Sequence, residues 1–155
     1  VPVSAGKPEP QIFRLSADKA GAISPLAVGD RLDTDIAGGV AAGFPSLHVL
    51  TGVSSARDVM VAAPAFRPSF LGLDLRDLNL PHPAAVRDGE WWVCGSARAR
   101  VDGATVQAEV GGVVVALDAP VRLTKDAYRA ATAAAWAAQD AGKELVISEV
   151  TVVDA

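Results

Sequence analysis

Asp30, Asp33 and Asp35 fall within six positions, with Arg31 among them, in the stretch "AVGDRLDTDIAGGVAAG" spanning residues 27–43. Carboxylates this close repel one another, so something must offset their charge. A helix N-terminus, a cation and plain solvent are the candidates. Asp33 or Thr34 is expected to cap the helix that ends near Gly43, a contribution of roughly 1 kcal/mol. Capping does not account for Asp30, which directly follows Gly29 after a short apolar run. An aspartate there, at the carboxyl end of a buried strand, projects its oxygens into a crevice where a hard cation such as Mg²⁺ can bind. A second charged position lies some twenty residues earlier: in "AGKPEP" (5–10), Lys7 precedes a helix opened by proline, a natural place for an anion. On these residues alone, a solvated lysine and capping aspartates remain open beside a metal or phosphate site.

The elements that would carry these residues alternate between helix-like and strand-like. A helix is predicted over 8–21, a buried strand over 25–29, a helix over 33–42 and a strand over 46–50. A helix capped by Ser54 or Ser55 follows over 54–63, then a short strand over 69–75. Strands separated by helices imply a parallel sheet with crossover helices, and ligands bind at the carboxyl ends of such strands. Residues 29–35 occupy that place.

The pattern changes near "NLPHPAAVRDGEWW" (79–92), which reads as a boundary. Beyond it, 93–101 alternates, with Val93, Gly95, Ala97, Ala99 and Val101 on one face and Ser96, Arg98 and Arg100 on the other. Asp102-Gly103 is expected to form a two-residue hairpin turn. That turn sets Ala97 against Ala108, Ala99 against Val106 and Arg98 against Gln107, with Glu109 diagonal to Arg98. A third strand over 112–117, an alanine-rich helix over 125–141 capped by Thr124, and a strand over 144–153 complete a small α+β unit. Trp91 and Trp92 are expected in core or interface, His82 in a loop, and His48 and Cys94 in buried positions. "RVDGAT" (100–105) ends in Thr105 and is expected to be an ordinary turn rather than a coenzyme-binding one.

The 155 residues carry a net charge of −4, with half the residues hydrophobic and 21% charged. A chain of this kind buries a core and has no bulk attraction for nucleic acid or an anionic membrane surface. No apolar run approaches the ~20 residues that cross a bilayer. One cysteine excludes an internal disulfide and a cysteine-rich zinc site, and fits a reducing cytoplasm. The chain opens on Val1 without an initiator methionine, as expected of part of a longer polypeptide.

Together, "AGKPEPQIF" and "PLAVGDRLDTDIAGGVAAGFPSLHVLTGVSS" resemble the end of the core of haloacid dehalogenase-like (HAD) phosphatases, in the subclass with a large α/β cap. The resemblance covers residues 5 to about 78. It implies an α/β fold: the C-terminal part of a Rossmann-type parallel sheet over 1–78, followed by the α+β extension over 79–155. By the resemblance, Lys7 contacts the nucleophile and the phosphoryl group, Asp30 binds Mg²⁺, and Asp35 is the second acid of the "GDxxxxD" pattern. Asp33 has a weaker family role. Arg31 and "TDI" are similar to the branch acting on glycerol phosphate and pyridoxal phosphate, and the extension is similar to one in actinobacterial members. The implied activity is hydrolysis of a small phosphomonoester such as glycerol 3-phosphate, through an aspartyl phosphate. The family's "DxDxT" nucleophile motif is absent, and "DLRDL" (74–78) is not one. The nucleophile and the cap are therefore expected on a missing N-terminal half, whose strand would lie beside 25–29. A non-catalytic scaffold that binds a partner is the alternative.

Overall fold

A computed structural model describes residues 6–154. The chain forms two compact units: residues up to Ser54 with Ala62–Leu75, and Ser55–Val61 with the residues from Arg76 on.

The first unit is built on three parallel strands, β1 (Ala27–Gly29), β2 (Ser46–Val49) and β3 (Phe70–Gly72), in that spatial order. Gly29 lies opposite His48, and His48 opposite Leu71. All four residues of β2 are buried, as a central parallel strand requires. Helix α1 (Pro10–Ala20) starts with proline at its first position and ends at Gly21, which takes the left-handed conformation. None of its residues is buried, and Ile12 and Leu15 stand exposed. Helix α2 (Ala37–Ala42) is preceded by a π-helical turn over Leu32–Ile36.

This differs from the uniform helix expected over 33–42. The residue at its entry is Arg31, with no side-chain cap, so neither Asp33 nor Thr34 performs the capping role. The amide of Ile36 reaches back five residues to the Arg31 carbonyl at 3.1 Å. A one-residue widening of this kind does not disturb apolar spacing enough to be read from a short sequence.

The second unit pairs an antiparallel sheet with one long helix. Its strands β4 (Val86–Asp88), β5 (Trp91–Cys94), β6 (Ala97–Asp102), β7 (Thr105–Val110) and β8 (Val113–Ala116) are neighbours in that order. Strands β9 (Val121–Thr124) and β10 (Val150–Val153) form a parallel pair. Helix α4 (Lys125–Asp140) is capped as expected, the Thr124 hydroxyl accepting from the Ala127 amide at 3.3 Å. Its alanines at 127, 130, 131, 134, 135 and 138 are buried, as are Ala97, Ala99, Val106 and Ala108 of the sheet. Small side chains on both surfaces let helix and sheet approach closely, each buried methyl-sized group contributing about 0.8 kcal/mol. Short helix α3 (Ala56–Met60) opens with a Ser55–Asp58 capping box. Its last carbonyls, which have no partner within the helix, are met from α4: Trp136 donates to Val59 at 2.9 Å and Gln139 to Met60 at 2.8 Å.

Two expectations for this unit are corrected. Residues 93–101 are not one strand; β5 and β6 form a hairpin that turns at Gly95, so Val93 lies opposite Arg98 and Cys94, not Val93, shares the buried face of Ala97 and Ala99, and β4 precedes them inside the expected boundary segment. The β6–β7 turn is Gly103-Ala104 rather than Asp102-Gly103, so Arg98 faces Glu109 directly and Ala99 faces Ala108. Gly103, with φ 60°, takes the first turn position, which favours glycine. Moving the turn by one residue shifts the pairing by two, which preserves the faces. Arg98 and Glu109 pair at 2.7 Å, and both Arg98 and Arg100 lie over the Trp91 ring, 4.4 and 4.6 Å from its centre.

Three groups of this unit hold protons more tightly than in an unfolded chain. Burial, together with the Asp126 carboxylate, pushes the Cys94 thiol up to about 11. Burial raises the Tyr128 hydroxyl. Lys125 is raised by hydrogen bonds to Asp154 and Asp77, at 2.6 and 2.9 Å. All three act with one sign: above about pH 8.5–10 the unfolded chain releases these protons first, so stability is full below that range and falls as pH rises through the folded values. Urea midpoints measured from pH 7 to 10.5 should decline above pH ~8.5, by up to about 1.4 kcal/mol per pH unit for each released proton. Cys94→Ala should flatten the first part of the decline. A midpoint independent of pH would contradict this account.

Candidate functional site

Strand β1 ends at Gly29, and Asp30 follows at the carboxyl edge of the parallel sheet. Strand β2 ends at the same edge, so the loop after it, residues 50–54, returns to Asp30. The Val53 amide donates to Asp30 Oδ2 at 2.7 Å. The Asp30 carbonyl accepts from the Ser54 amide at 3.0 Å and pairs with His48 Nε2 at 3.2 Å, and the Ser54 hydroxyl accepts from the Leu32 amide at 3.1 Å. The loop packs so tightly that a Cβ on Gly52 would stand 1.9 Å from Asp30 Oδ2. Only glycine lets that carboxylate lie where it does.

The other two acids point elsewhere. Asp35 is buried; its Oδ1 takes the Lys7 ammonium at 2.6 Å, and its Oδ2 accepts from the Arg31 amide at 3.3 Å. It lies beneath the strand end, where a Cβ on Gly29 would overlap its side chain. Asp33 is exposed and receives two hydrogen bonds from the Arg31 guanidinium, at 3.1 and 2.9 Å. That hydrogen-bonded pairing lowers the Asp33 carboxyl and raises the Arg31 guanidinium. The repulsion among the three acids is thus relieved locally, by Lys7 for Asp35, by Arg31 for Asp33 and by the 50–54 loop for Asp30.

Of the residues singled out from the sequence, Lys7 and Asp35 are brought into contact. No hydrogen bond or ion pair among the described residues joins Asp30 to either. Lys7 keeps more than half of its side chain exposed. Asp30 offers one hard oxygen beyond the one that Val53 holds, which suits a single ligand of an oxygen-seeking cation. Among the described residues, no group of three or more acidic, histidine or cysteine side chains gathers to hold a metal, so Asp30 is one ligand and not a cage. His48 is buried in β2, as expected, and His82 pairs with the Asp77 carbonyl at 2.8 Å in its loop. Gly52, Val53 and Ser54 were not singled out from the sequence. Their signal was position: a glycine and small polar residues directly after a second buried parallel strand.

An open groove of about 450 Å³ runs beside β1, lined by Ile12, Phe13, Ala17, Leu26 and Phe44, with Lys7 at its rim.

A family model described as HAD-hydrolase-like matches residues 4–78. Residues 4–78 belong to the HAD-like hydrolases. The D-glycerol 3-phosphate phosphatase of Mycobacterium tuberculosis is 51% identical over 78 residues, which are 50% of this chain and 22% of that protein. The ribonucleotide monophosphatase NagD of Escherichia coli K12 is 43% identical over 81 residues, 51% of this chain and 32% of that protein. A crystal structure of the M. tuberculosis glycerol phosphate phosphatase in complex with magnesium superposes with a TM-score of 0.68 and 33% identity. It covers 99% of this chain and 41% of that one, so the HAD-like unit and the α+β unit both have counterparts in one solved chain. This chain spans well under half the length of each of these relatives.

The contact between Gly52 and Asp30 has a direct consequence for this HAD-like unit. Gly52→Ala should break the Val53–Asp30 hydrogen bond, cost about 1–3 kcal/mol in urea unfolding, and speed hydrogen exchange at the Val53 amide. Gly6→Ala, where a Cβ meets open space, should stay within about 0.5 kcal/mol of the parent. Equal behaviour of the two variants would contradict the packing described.

Proposed function

We propose that this chain is the C-terminal part of a Mg²⁺-dependent phosphomonoester hydrolase acting on a small phosphate ester, with glycerol 3-phosphate as the foremost candidate. The observation that carries the reading is the pairing of Lys7 with Asp35 at the carboxyl edge of a parallel sheet, where Asp30 also stands in a loop shaped around it. The named relatives, two phosphatases of small phosphorylated metabolites and one solved with magnesium, support it.

Asp30 is the residue that would hold the cation. Its Oδ2 is steadied by the Val53 amide, so the carboxylate is aimed before the ion arrives. Bound Mg²⁺ supplies positive charge against the phosphoryl oxygens. Lys7 would supply a second positive charge: anchored on Asp35, its ammonium still has protons to donate to a phosphoryl oxygen. Asp35 is a positioning residue; it touches Lys7 and not the substrate. In phosphoryl transfer such positioning and charge stabilisation carry most of the catalysis. The attacking carboxylate would come from outside this chain. It would take the phosphoryl group from the ester oxygen, which leaves as the alcohol, and water would then release inorganic phosphate. The edge position of β1 and the apolar groove beside it support a neighbouring strand at that side, as an N-terminal half of the same core would provide.

The test is Asp30→Asn in the full-length protein, assayed for phosphate release from glycerol 3-phosphate over a range of Mg²⁺ concentrations. Removing this charged ligand should lower kcat/KM by at least about a hundredfold, about 2.7 kcal/mol of transition-state stabilisation, and raise the Mg²⁺ concentration needed for half-maximal rate. Unchanged rates at limiting and saturating Mg²⁺ would overturn the assignment and favour a non-catalytic scaffold.

A further inference from the structure

The central strand of the parallel sheet carries a histidine where its packing has no need of one. All four positions of β2 are buried, and His48, between Leu47 and Val49, is 1% exposed. With β1 on one side and β3 on the other, such a position ordinarily takes an aliphatic side chain. An imidazole there forgoes apolar burial and is costly unless it is hydrogen-bonded.

His48 Nε2 lies 3.2 Å from the Asp30 carbonyl oxygen. A carbonyl oxygen only accepts, so Nε2 carries the proton and donates it. That carbonyl already accepts from the Ser54 amide at 3.0 Å. His48 is therefore not rescuing an orphaned acceptor; it fills the second lone pair of an oxygen already served. Two donors from different segments, β2 and the loop after it, fix that oxygen in direction as well as in distance. The other end of the same peptide group is held too, because the Arg31 amide donates to Asp35 Oδ2 at 3.3 Å. A peptide group is planar and stiff, so holding its oxygen and its nitrogen steadies the Asp30 Cα and the carboxylate that it carries.

We propose that His48 is a positioning residue for Asp30: by donating to the Asp30 carbonyl it locks the Asp30–Arg31 peptide and keeps the Asp30 carboxylate aimed at the place of the cation. The inference rests on the reading of Asp30 as a ligand of that cation, and adds a buried side chain that acts through the Asp30 backbone. Groups that orient a metal ligand from behind typically matter about ten- to a hundredfold in metal affinity. The same peptide links the two charged positions of the site: Asp35 holds Lys7 through Oδ1 and steadies the Asp30–Arg31 peptide through Oδ2.

The test is Mg²⁺ binding to the full-length protein, measured by calorimetry without substrate. His48→Leu, similar in bulk but without a donor, should raise the Mg²⁺ Kd by about tenfold or more. Its melting temperature should stay within about 3 °C of the parent or rise, because Ser54 still serves the carbonyl and an apolar group replaces a buried polar one. His48→Gln, whose side-chain amide offers a donor at similar reach, should recover the parent Kd to within about threefold. A residue that serves only the fold would show the reverse, a lowered melting temperature with an unchanged Kd, and that result overturns the inference. Asp30→Asn is measured beside these variants. If it weakens Mg²⁺ binding and His48→Leu does not, the inference fails and the reading of Asp30 stands. If Asp30→Asn leaves Mg²⁺ binding unchanged, both fail. In the parent protein, nitrogen NMR spectra of the His48 ring should show a proton on Nε2 with and without Mg²⁺. A bare Nε2 overturns the inference even where a variant does not fold.

Discussion

The ion pair between Lys7 and Asp35, 2.6 Å long, joins two segments 28 residues apart and sets the geometry around the end of β1. A buried carboxylate is costly unless charge and hydrogen bonds meet it. Asp35 has both, from the Lys7 ammonium and the Arg31 amide. The pair works in two directions. It lets an acid sit under the strand end without repelling Asp30 into solvent, and it fixes a flexible lysine at the rim of the crevice with protons still to donate. The π-helical turn over Leu32–Ile36 belongs to the same arrangement, because it carries Asp35 on the chain directly after the strand.

Much of this was legible in the sequence, for physical reasons. Asp30 could be placed because a glycine-terminated apolar run is a buried strand, and the carboxyl end of a parallel strand is where ligands bind. Lys7 could be placed because Pro8 and Pro10 mark a helix start. The Lys7–Asp35 contact itself was not legible, since it depends on how α1 docks. Nor was the service of Gly52 and Val53 to Asp30: a close approach of backbone to a side chain leaves no periodic trace. Asp33 shows the opposite error. Its spacing suggested a helix cap, yet with Arg31 two residues away the exposed carboxylate pairs with a guanidinium instead.

In β6 and β7 the faces were readable and the exact pairings were not. Alternation survives a shift of two residues, so Arg98 and Arg100 were placed on the right side of β6 even though the turn lay one residue further on. The hairpin at Gly95 changes the phase of the alternation, setting Cys94 rather than Val93 on the face of Ala97, and the apolar run Trp91–Cys94 carries no sign of that change. The stacking of Arg98 and Arg100 on Trp91 shows why a tryptophan at a strand start need not be read as a ligand platform: its ring is already occupied by cations of its own sheet.

The dependence of the site on one ion pair is open to a double-mutant cycle. Lys7→Met, Asp35→Asn and the double variant of the full-length protein would be compared by urea unfolding at neutral pH. If the pair organises the strand end as described, the two changes are coupled: the double variant loses less stability than the sum of the singles by at least about 1 kcal/mol. Effects that add within about 0.3–0.5 kcal/mol, the behaviour of independent sites, would contradict the account.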